Sequence, residues 1–227
     1  MSLLFVWFDS TLRILRVRMI DIENSWDLRF KVQTTGNDDK NADYYHFPYE
    51  PTPYSVLERL ADSGLICAGD TLIDYGCGKG RVDFFLSFRT DAETVGIEYD
   101  DRIYQCAVDN RKTAVSGEKT QFIYGRAEEY TVPECVNRCY FFNPFSVEIL
   151  KKVMARIIDS YYEHPREILL MFYYPSAEYL SYLMTVDEIE YYDEISCADL
   201  FDGKNKRETI LIFKIVELFC NDRNNQI

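Results

Sequence analysis

Three short stretches carry the residues with chemistry to offer. The first, "LIDYGCGKGR", alternates Gly76, Gly78 and Gly80 around Cys77 and Lys79, with Asp74 two residues ahead of the first glycine. Glycines in such a loop tolerate unusual φ/ψ and let backbone approach a ligand. A helix starting just beyond it offers free N–H groups and a positive dipole end to an anionic group. The spacing is G-x-G-x-G, and Arg81 stands where a nicotinamide-type fingerprint needs its third small residue. Lys79 is not followed by Ser or Thr, and no glycine lies five residues before Gly80, so a P-loop is excluded.

The second stretch, "GIEYD", places Glu98 18 residues after Gly80, at the end of the next strand. A carboxylate there accepts two hydrogen bonds from a ribose diol, or else caps the following helix. The third, "FFNPFS", ends an aromatic run on Asn143, followed by Pro144 and Phe145. Its amide either polarises a reacting group or closes the strand. Read purely as local structure, the three stretches are a tight turn, a helix cap and a strand end.

The elements that must position these residues alternate. "TLIDY", "TVGIEY", "TQFIYG", "RCYFF" and "EILLMFYYP" read as strands, separated by helical "GRVDFFLSF", "DDRIYQCAVDNRKTAV" and "SVEILKKVMARIIDSYYEH", with a short turn at "RAEEY" and a helix near "SAEYLSYLM". Asp100 or Asp101 caps the second of these helices. Upstream, "PTPYSVLERLADSG" is a helix with Thr52 as cap, Pro53 at its first position and Gly64 as its stop. The end differs: "VDEIEYYDEIS" and "RETILIFKIV" are joined by "CADLFDGKNK", which has turn residues and no helical stretch, so they pair antiparallel. The expected fold is α/β, a seven-stranded mostly parallel sheet with an antiparallel C-terminal hairpin and helices on both faces.

Composition narrows the classes. With 227 residues, of which 47% are hydrophobic and 15% aromatic, the chain can bury a full core. Its net charge of -13 disfavours a nucleic-acid partner. The seven cysteines are odd in number, irregularly spaced and without a CxxC, which fits reduced thiols in a cytoplasmic protein. Cys135 and Cys139 lie four apart, but His46 and His164 are the only histidines and neither is nearby, so no metal is expected. The apolar N-terminus is interrupted by Asp9, Arg13, Arg16 and Arg18; neither a signal peptide nor a membrane span is expected, and a solvated face fits the three arginines better than an RNA clamp. Oligomeric state is not legible.

In their order and spacing, these motifs resemble a class I, Rossmann-like S-adenosylmethionine-dependent methyltransferase over about residues 46 to 217. "DTLIDYGCGKGR" is similar to the family's first motif, "VGIEYD" to its acidic second, "YGRAEEY" to the third, and "YFFNPFS" to the fourth-strand motif that faces the reaction. Upstream, "WDLRFKVQTTG" followed by "YEPTPYSVLERL" resembles the lead-in of a group of bacterial methyltransferases, in which it forms a flap over the cofactor.

The resemblance implies S-adenosyl-L-methionine as cofactor and transfer of a methyl group to an amine nitrogen of an unidentified acceptor, a small molecule, a protein or RNA. Asp74, Gly76, Cys77, Gly78 and Gly80 would hold the methionine portion, with Asp74 near its amino group. Glu98, with Tyr99 beside it, would bind the ribose hydroxyls; Ala127 and Glu128 would meet the adenine edge; Tyr49 and Thr52 would contact the methionine end. Exocyclic-amine methyltransferases use (D/N)PP(Y/F), in which the Asn or Asp and a Pro carbonyl accept from the amine. Here Asn143, Pro144 and Phe145 lack one proline, which points toward amines of proteins or small molecules rather than a nucleobase. Phe47, Tyr49, Tyr54, Tyr173 and Tyr174 would either line an acceptor pocket or pack a lid.

The expected organisation is an extension or lid over 1–45, a cofactor-binding domain over 46–217 and a tail over 218–227. The competing reading is a binding module with the same fold and no catalysis.

Overall fold

The computed structural model describes residues 22–218; Asp9, Arg13, Arg16, Arg18 and Cys220 lie outside the described residues. Seven strands form one sheet: β1 (Thr71–Tyr75), β2 (Glu93–Glu98), β3 (Thr120–Tyr124), β4 (Arg138–Phe141), β5 (Leu169–Tyr173), β6 (Ile189–Ser196) and β7 (Thr209–Ile215). Their order is β3-β2-β1-β4-β5-β7-β6. Strands β1 to β5 run parallel, whereas β7 is antiparallel to both β5 and β6. The chain winds outward from β1 to β3, then restarts beside β1 with β4. That reversal opens a crevice at the carboxyl ends of β1 and β4, the usual ligand position in an open α/β sheet.

Helical residues 22–30 (α1) lead into the domain, followed by α2 (Tyr54–Asp62), α3 (Arg81–Thr90), α4 (Asp101–Thr113), α5 (Val147–Glu163) and α6 (Ala177–Leu183). The central strands β1 and β5 are buried along their whole length because helices cover both faces. On one face, α5 lays down Ile149, Leu150, Val153, Met154 and Ile157, spaced for a single helical stripe. On the other, α2 and α3 pack Val56, Leu57, Leu60, Phe84 and Phe85 against Leu72, Tyr140 and Met171.

The lead-in belongs to this second layer. Phe30 and Val32 are buried, and Phe30 stacks on Tyr54 at 6.2 Å between ring centroids and meets Phe85 at 5.7 Å. Part of the extension expected over 1–45 is therefore packed into the core of the sheet domain, through Phe30 and Val32. Truncating Phe85, which has no exposed surface, removes contacts to Trp26, Phe30 and Tyr54 together, a change costing about 3–5 kcal/mol.

Two local expectations need correction. Thr52 does not cap α2. Pro53 holds the cap position, and the buried Thr52 hydroxyl lies 3.0 Å from the Tyr140 hydroxyl. The β6–β7 connection also contains a single 3-10 turn at Ala198–Leu200. Asp100 caps α4, accepting from the N–H groups of Arg102 and Ile103.

Candidate functional site

The crevice is a cleft of about 930 Å³, counting its solvent-open mouth, between the strand ends and the lead-in. The glycine loop forms its floor. Gly76 and Gly78 have φ of 76° and 58°, in the left-handed region that favours glycine. Space forbids a side chain as well: a Cβ on Gly76 would fall 2.3 Å from the Pro144 ring, and one on Gly78 would fall 2.2 Å from the Tyr49 ring. Gly80 is closed off by Phe122 in the same way, at 2.5 Å. Cys77 is buried, and burial pushes its thiol well above the usual range, which makes it a packing group rather than a nucleophile.

Glu98 ends β2 with its carboxylate folded over this loop. One oxygen accepts from Gly78 N–H at 3.0 Å; the other accepts from Tyr99 N–H at 2.9 Å and Asp100 N–H at 2.8 Å. Burial raises its pKa, and these three bonds oppose the rise without cancelling it. A carboxylate offers about four lone-pair directions, so roughly one stays free for a diol unless Gly78 yields its own. Ile97, Ile103 and Ala127 continue the wall as an apolar slot, with Glu128 at its rim, 3.7 Å from Arg126.

Asp74 faces the layer of α3. Alternate residues of a strand share a face, and Leu72 and the register partner Tyr140 both lie in that layer. There it meets the carboxyl of Asp83, in the first turn of α3. Asp74 is 3% exposed and Asp83 not at all. Burial pushes Asp74 up to about 8 and Asp83 well above the carboxylate range; the Asp74 charge adds to the rise of Asp83, whereas the hydrogen bond with Asp83 favours ionisation of Asp74.

Residues 38–52 close the cleft from above. Asp38 takes a bidentate pair from Arg102 at 2.6 and 2.7 Å. His46 stacks on Tyr99 at 3.7 Å between centroids, and the Tyr99 hydroxyl donates to Asn41 O at 3.1 Å. The Tyr49 hydroxyl donates to Thr34 O at 2.6 Å, and Lys79 Nζ lies 4.7 Å from the Tyr49 ring centre. A short antiparallel contact joins the lid to the fourth-strand motif: Phe47 N–H donates to Pro144 O at 3.2 Å, and Ser146 N–H to Tyr45 O at 2.8 Å.

That motif is arranged differently from the expectation. Asn143 adopts φ 43°, and its amide is turned onto the β5–α6 connection. Its Nδ2 donates to Tyr174 O at 2.8 Å and its Oδ1 accepts from Ser176 N–H at 3.0 Å. The cleft at this point is lined by Phe142, Pro144 and Phe145 instead, and the Pro144 carbonyl is engaged by Phe47. Of the aromatic residues expected either to line an acceptor pocket or to pack a lid, Phe47 and Tyr49 border the cleft and the others are dispersed. Tyr54 is in the core, donating to Asp27 at 2.7 Å; Tyr173 donates to Glu208 at 2.6 Å; Tyr174 lies under Arg207, 4.5 Å from its ring centre. Phe47 is exposed at the lid edge.

Two site residues carried no role in the sequence reading. Arg81, 2% exposed, ties α1, the lead-in and the lid together. It pairs with Glu23, donates to Thr34 Oγ1 at 2.8 Å, Thr35 Oγ1 at 2.9 Å and Thr52 O at 3.2 Å, and sits 4.2 Å over the Tyr54 ring. Beside it, burial works to raise the pKa of Asp27, yet hydrogen bonds from Thr34, Tyr54 and Thr35 together outweigh burial and hold it low. The second is Asp83. The available signal was the same for both: a charge inside "GRVDFFLSF", on a helix otherwise apolar enough to be buried.

The lining suits S-adenosylmethionine: carboxyls to accept from an ammonium and a diol, an apolar slot for a flat ring, and a floor where a Cβ on Gly76, Gly78 or Gly80 would intrude. Among the described residues, no group of three or more His, Cys, Asp or Glu is placed to hold a metal ion. No protein-family model matches the chain. The chain is 26% identical over 137 residues to a protein-lysine N-methyltransferase of Saccharolobus islandicus, covering 55% of this chain and 84% of that one. Among solved structures it is similar to an RNA methyltransferase from Salinibacter ruber in complex with S-adenosyl-L-homocysteine (TM-score 0.52, 19% identity, 76% of this chain and 98% of that one). It is also similar to a TehB-like SAM-dependent methyltransferase from Corynebacterium glutamicum (TM-score 0.52, 14% identity, 71% and 88%). Sheet order, antiparallel hairpin and these likenesses agree that the chain has the class I, Rossmann-like fold of the S-adenosylmethionine-dependent methyltransferases.

Proposed function

We propose that the chain is an S-adenosylmethionine-dependent methyltransferase acting on an amine nitrogen, with a lysine-bearing protein as the acceptor class. The observation that carries the cofactor is Glu98, set over Gly78 at the end of β2 beside the apolar slot and across the floor from Asp74. When bound, the cofactor supplies a sulfonium carbon as methyl donor. The chain's own residues would hold its ribose at Glu98, its amino group at Asp74 and its ring between Ile97, Ile103 and Ala127, with Tyr49 closing over the loop. Such a site works mainly by alignment of an incoming nitrogen with the methyl carbon, in a cleft from which the lid excludes water.

An amine acceptor is supported by the lysine-modifying relative and by the net charge of -13, which attracts a cationic partner. The experiment is methyl transfer from labelled cofactor to lysine-rich proteins, with mass-spectrometric assignment of the modified atom. Label on lysine Nζ supports the reading; label on RNA alone, or none, overturns it.

One observation favours the second reading, a cofactor-binding module without catalysis. The Asn143 amide is spent on Tyr174 and Ser176, and Phe47 occupies the Pro144 carbonyl. Saturable cofactor binding with no transfer to any protein or RNA fraction would decide for it.

A further inference from the structure

The β4 side of the cleft has lost the group expected to receive an amine. The Asn143 amide is spent on Tyr174 and Ser176, and the Pro144 carbonyl accepts from Phe47 N–H. Phe142, Pro144 and Phe145 leave that wall apolar. An alkyl stem fits such a wall, but a charged amino group at its end needs an oxygen acceptor.

Among the described residues, six acids line the cleft and five of them are committed. Asp38 holds Arg102, and Asp100 caps α4. Glu98 accepts from three backbone N–H groups, Glu128 lies 3.7 Å from Arg126, and Asp74 lies against Asp83. The sixth is Glu50. It is exposed at the mouth, and no hydrogen bond or ion pair from a described residue reaches its carboxylate. Of the basic residues in the lining, Arg81 pairs with Glu23 and His46 lies 3.1 Å from Asp43, so neither neutralises it.

The neighbours of Glu50 fix where it stands. Phe47 N–H donates to Pro144 O at 3.2 Å, the Tyr49 ring lies on Gly78, and the Thr52 hydroxyl is 3.0 Å from the Tyr140 hydroxyl. Residues 47–52 are thus pinned to the β4 loop, to the glycine loop and to β4 itself. Pro48 and Pro51 bracket Tyr49 and Glu50, and a residue that precedes proline is restricted to extended backbone. The free carboxylate is therefore carried on a stiff segment across the mouth from the apolar wall.

We propose that Glu50 is the acceptor-binding carboxylate of the cleft. It accepts hydrogen bonds from the protonated amino group of an alkyl amine, such as a lysine side chain, whose stem lies along the β4 wall. The acceptor class is set from the lid and not from the fourth-strand motif. A phosphate-bearing acceptor meets like charge at the same place, which adds discrimination against it. The inference rests on the cofactor and amine reading above.

The test is calorimetric titration of the full chain with two aza-analogues of S-adenosylmethionine, in which nitrogen replaces the sulfonium sulfur. One carries an aminoethyl group in place of the methyl; the other carries a propyl group of the same length. The first sets a cationic nitrogen where an incoming amine would stand, and the second sets a methyl group there. The expected result is about fivefold tighter binding of the aminoethyl analogue, the upper range for one solvent-accessible ion pair. Added salt should shrink the difference. In Glu50→Gln the two analogues should bind alike, while affinity for S-adenosyl-L-homocysteine stays as in the unmodified chain.

Equal affinity of the two analogues in the unmodified chain would overturn the proposal. So would an amine advantage that survives in Glu50→Gln, whose fold a thermal melt checks. Binding of S-adenosyl-L-homocysteine with exclusion of both analogues would overturn it too, by showing that no acceptor space adjoins the methyl position. If none of the three ligands binds, the cofactor reading itself falls and the proposal falls with it.

Discussion

The Tyr49 ring lies directly on Gly78, so that the lid and the glycine loop fit each other with no room for a methyl group between them. Gly78→Ala meets two obstacles at once: a left-handed backbone, which costs about 1–2 kcal/mol for other residues, and the ring itself. The variant is expected to lose at least that much stability in a urea titration, and to bind S-adenosyl-L-homocysteine more than tenfold more weakly by calorimetry. Normal affinity would mean that Tyr49 lifts away freely and does not belong to the site.

Asn143 is expected to behave as a loop anchor. Asn143→Ala removes both amide contacts and leaves a Cβ at φ 43°, whereas Asn143→Gly removes the contacts but accommodates the backbone. The alanine variant should lose about 1–3 kcal/mol in chemical denaturation and the glycine variant less, with cofactor affinity unchanged in both. If stability stayed constant while methyl transfer vanished, the amide would be acting on the acceptor.

The acid pair also sets a pH dependence of stability in the empty protein. Asp74, pushed up to about 8, and Asp83, pushed higher, bind protons more tightly folded than unfolded, where an Asp titrates near 3.8. Folding is therefore favoured by these groups at acid pH, and that contribution is lost as pH rises from about 4 through about 8, with a slope of at most about 1.4 kcal/mol per pH unit per proton. Thermal melts of the empty protein should fall between pH 6 and pH 8.5, and Asp83→Asn should flatten the fall. A slope unaltered by the substitution would place its origin elsewhere.

The lid clasp is a separate matter. The Arg102 hydrogen bonds hold Asp38 down at about 2, so the pair stays ionised across the working pH range. Arg102→Ala is expected to raise the dissociation rate of S-adenosyl-L-homocysteine several-fold in stopped flow. In the unmodified chain that rate should be flat from pH 5 to 8 and increase with salt, because the pair is exposed to screening. A dissociation rate indifferent to both substitution and salt would show that release does not pass through this clasp.

Much of this was legible in the chain itself. The sheet announced itself through five apolar strands alternating with helices, and the antiparallel end through two strand patterns with only turn residues between them. The floor of the cleft was legible because Gly76, Gly78 and Gly80 mark backbone that nothing else can occupy. What stayed hidden depended on pairing across long separations. Nothing near Asn143 signals that Tyr174 and Ser176, more than thirty residues on, will claim its amide. Thr52 looked like a cap because helix starts favour its hydroxyl, but Tyr140, 88 residues away, takes it. Arg81 and Asp83 were visible only as charges on a helix that the sheet would bury. Their partners, Glu23 and Thr34 for Arg81 and Asp74 for Asp83, are contributed by other elements.

The central claim is that the cleft between β1 and β4 holds an S-adenosyl group with its ribose on Glu98. Isothermal titration of the full chain with S-adenosyl-L-homocysteine, beside the Glu98→Gln variant, tests it most directly. The expected result is saturable one-to-one binding in the micromolar range that weakens at least tenfold in the variant, a loss of about 1.4 kcal/mol or more. Heats of dilution alone at millimolar ligand, or binding that the variant leaves intact, would contradict it.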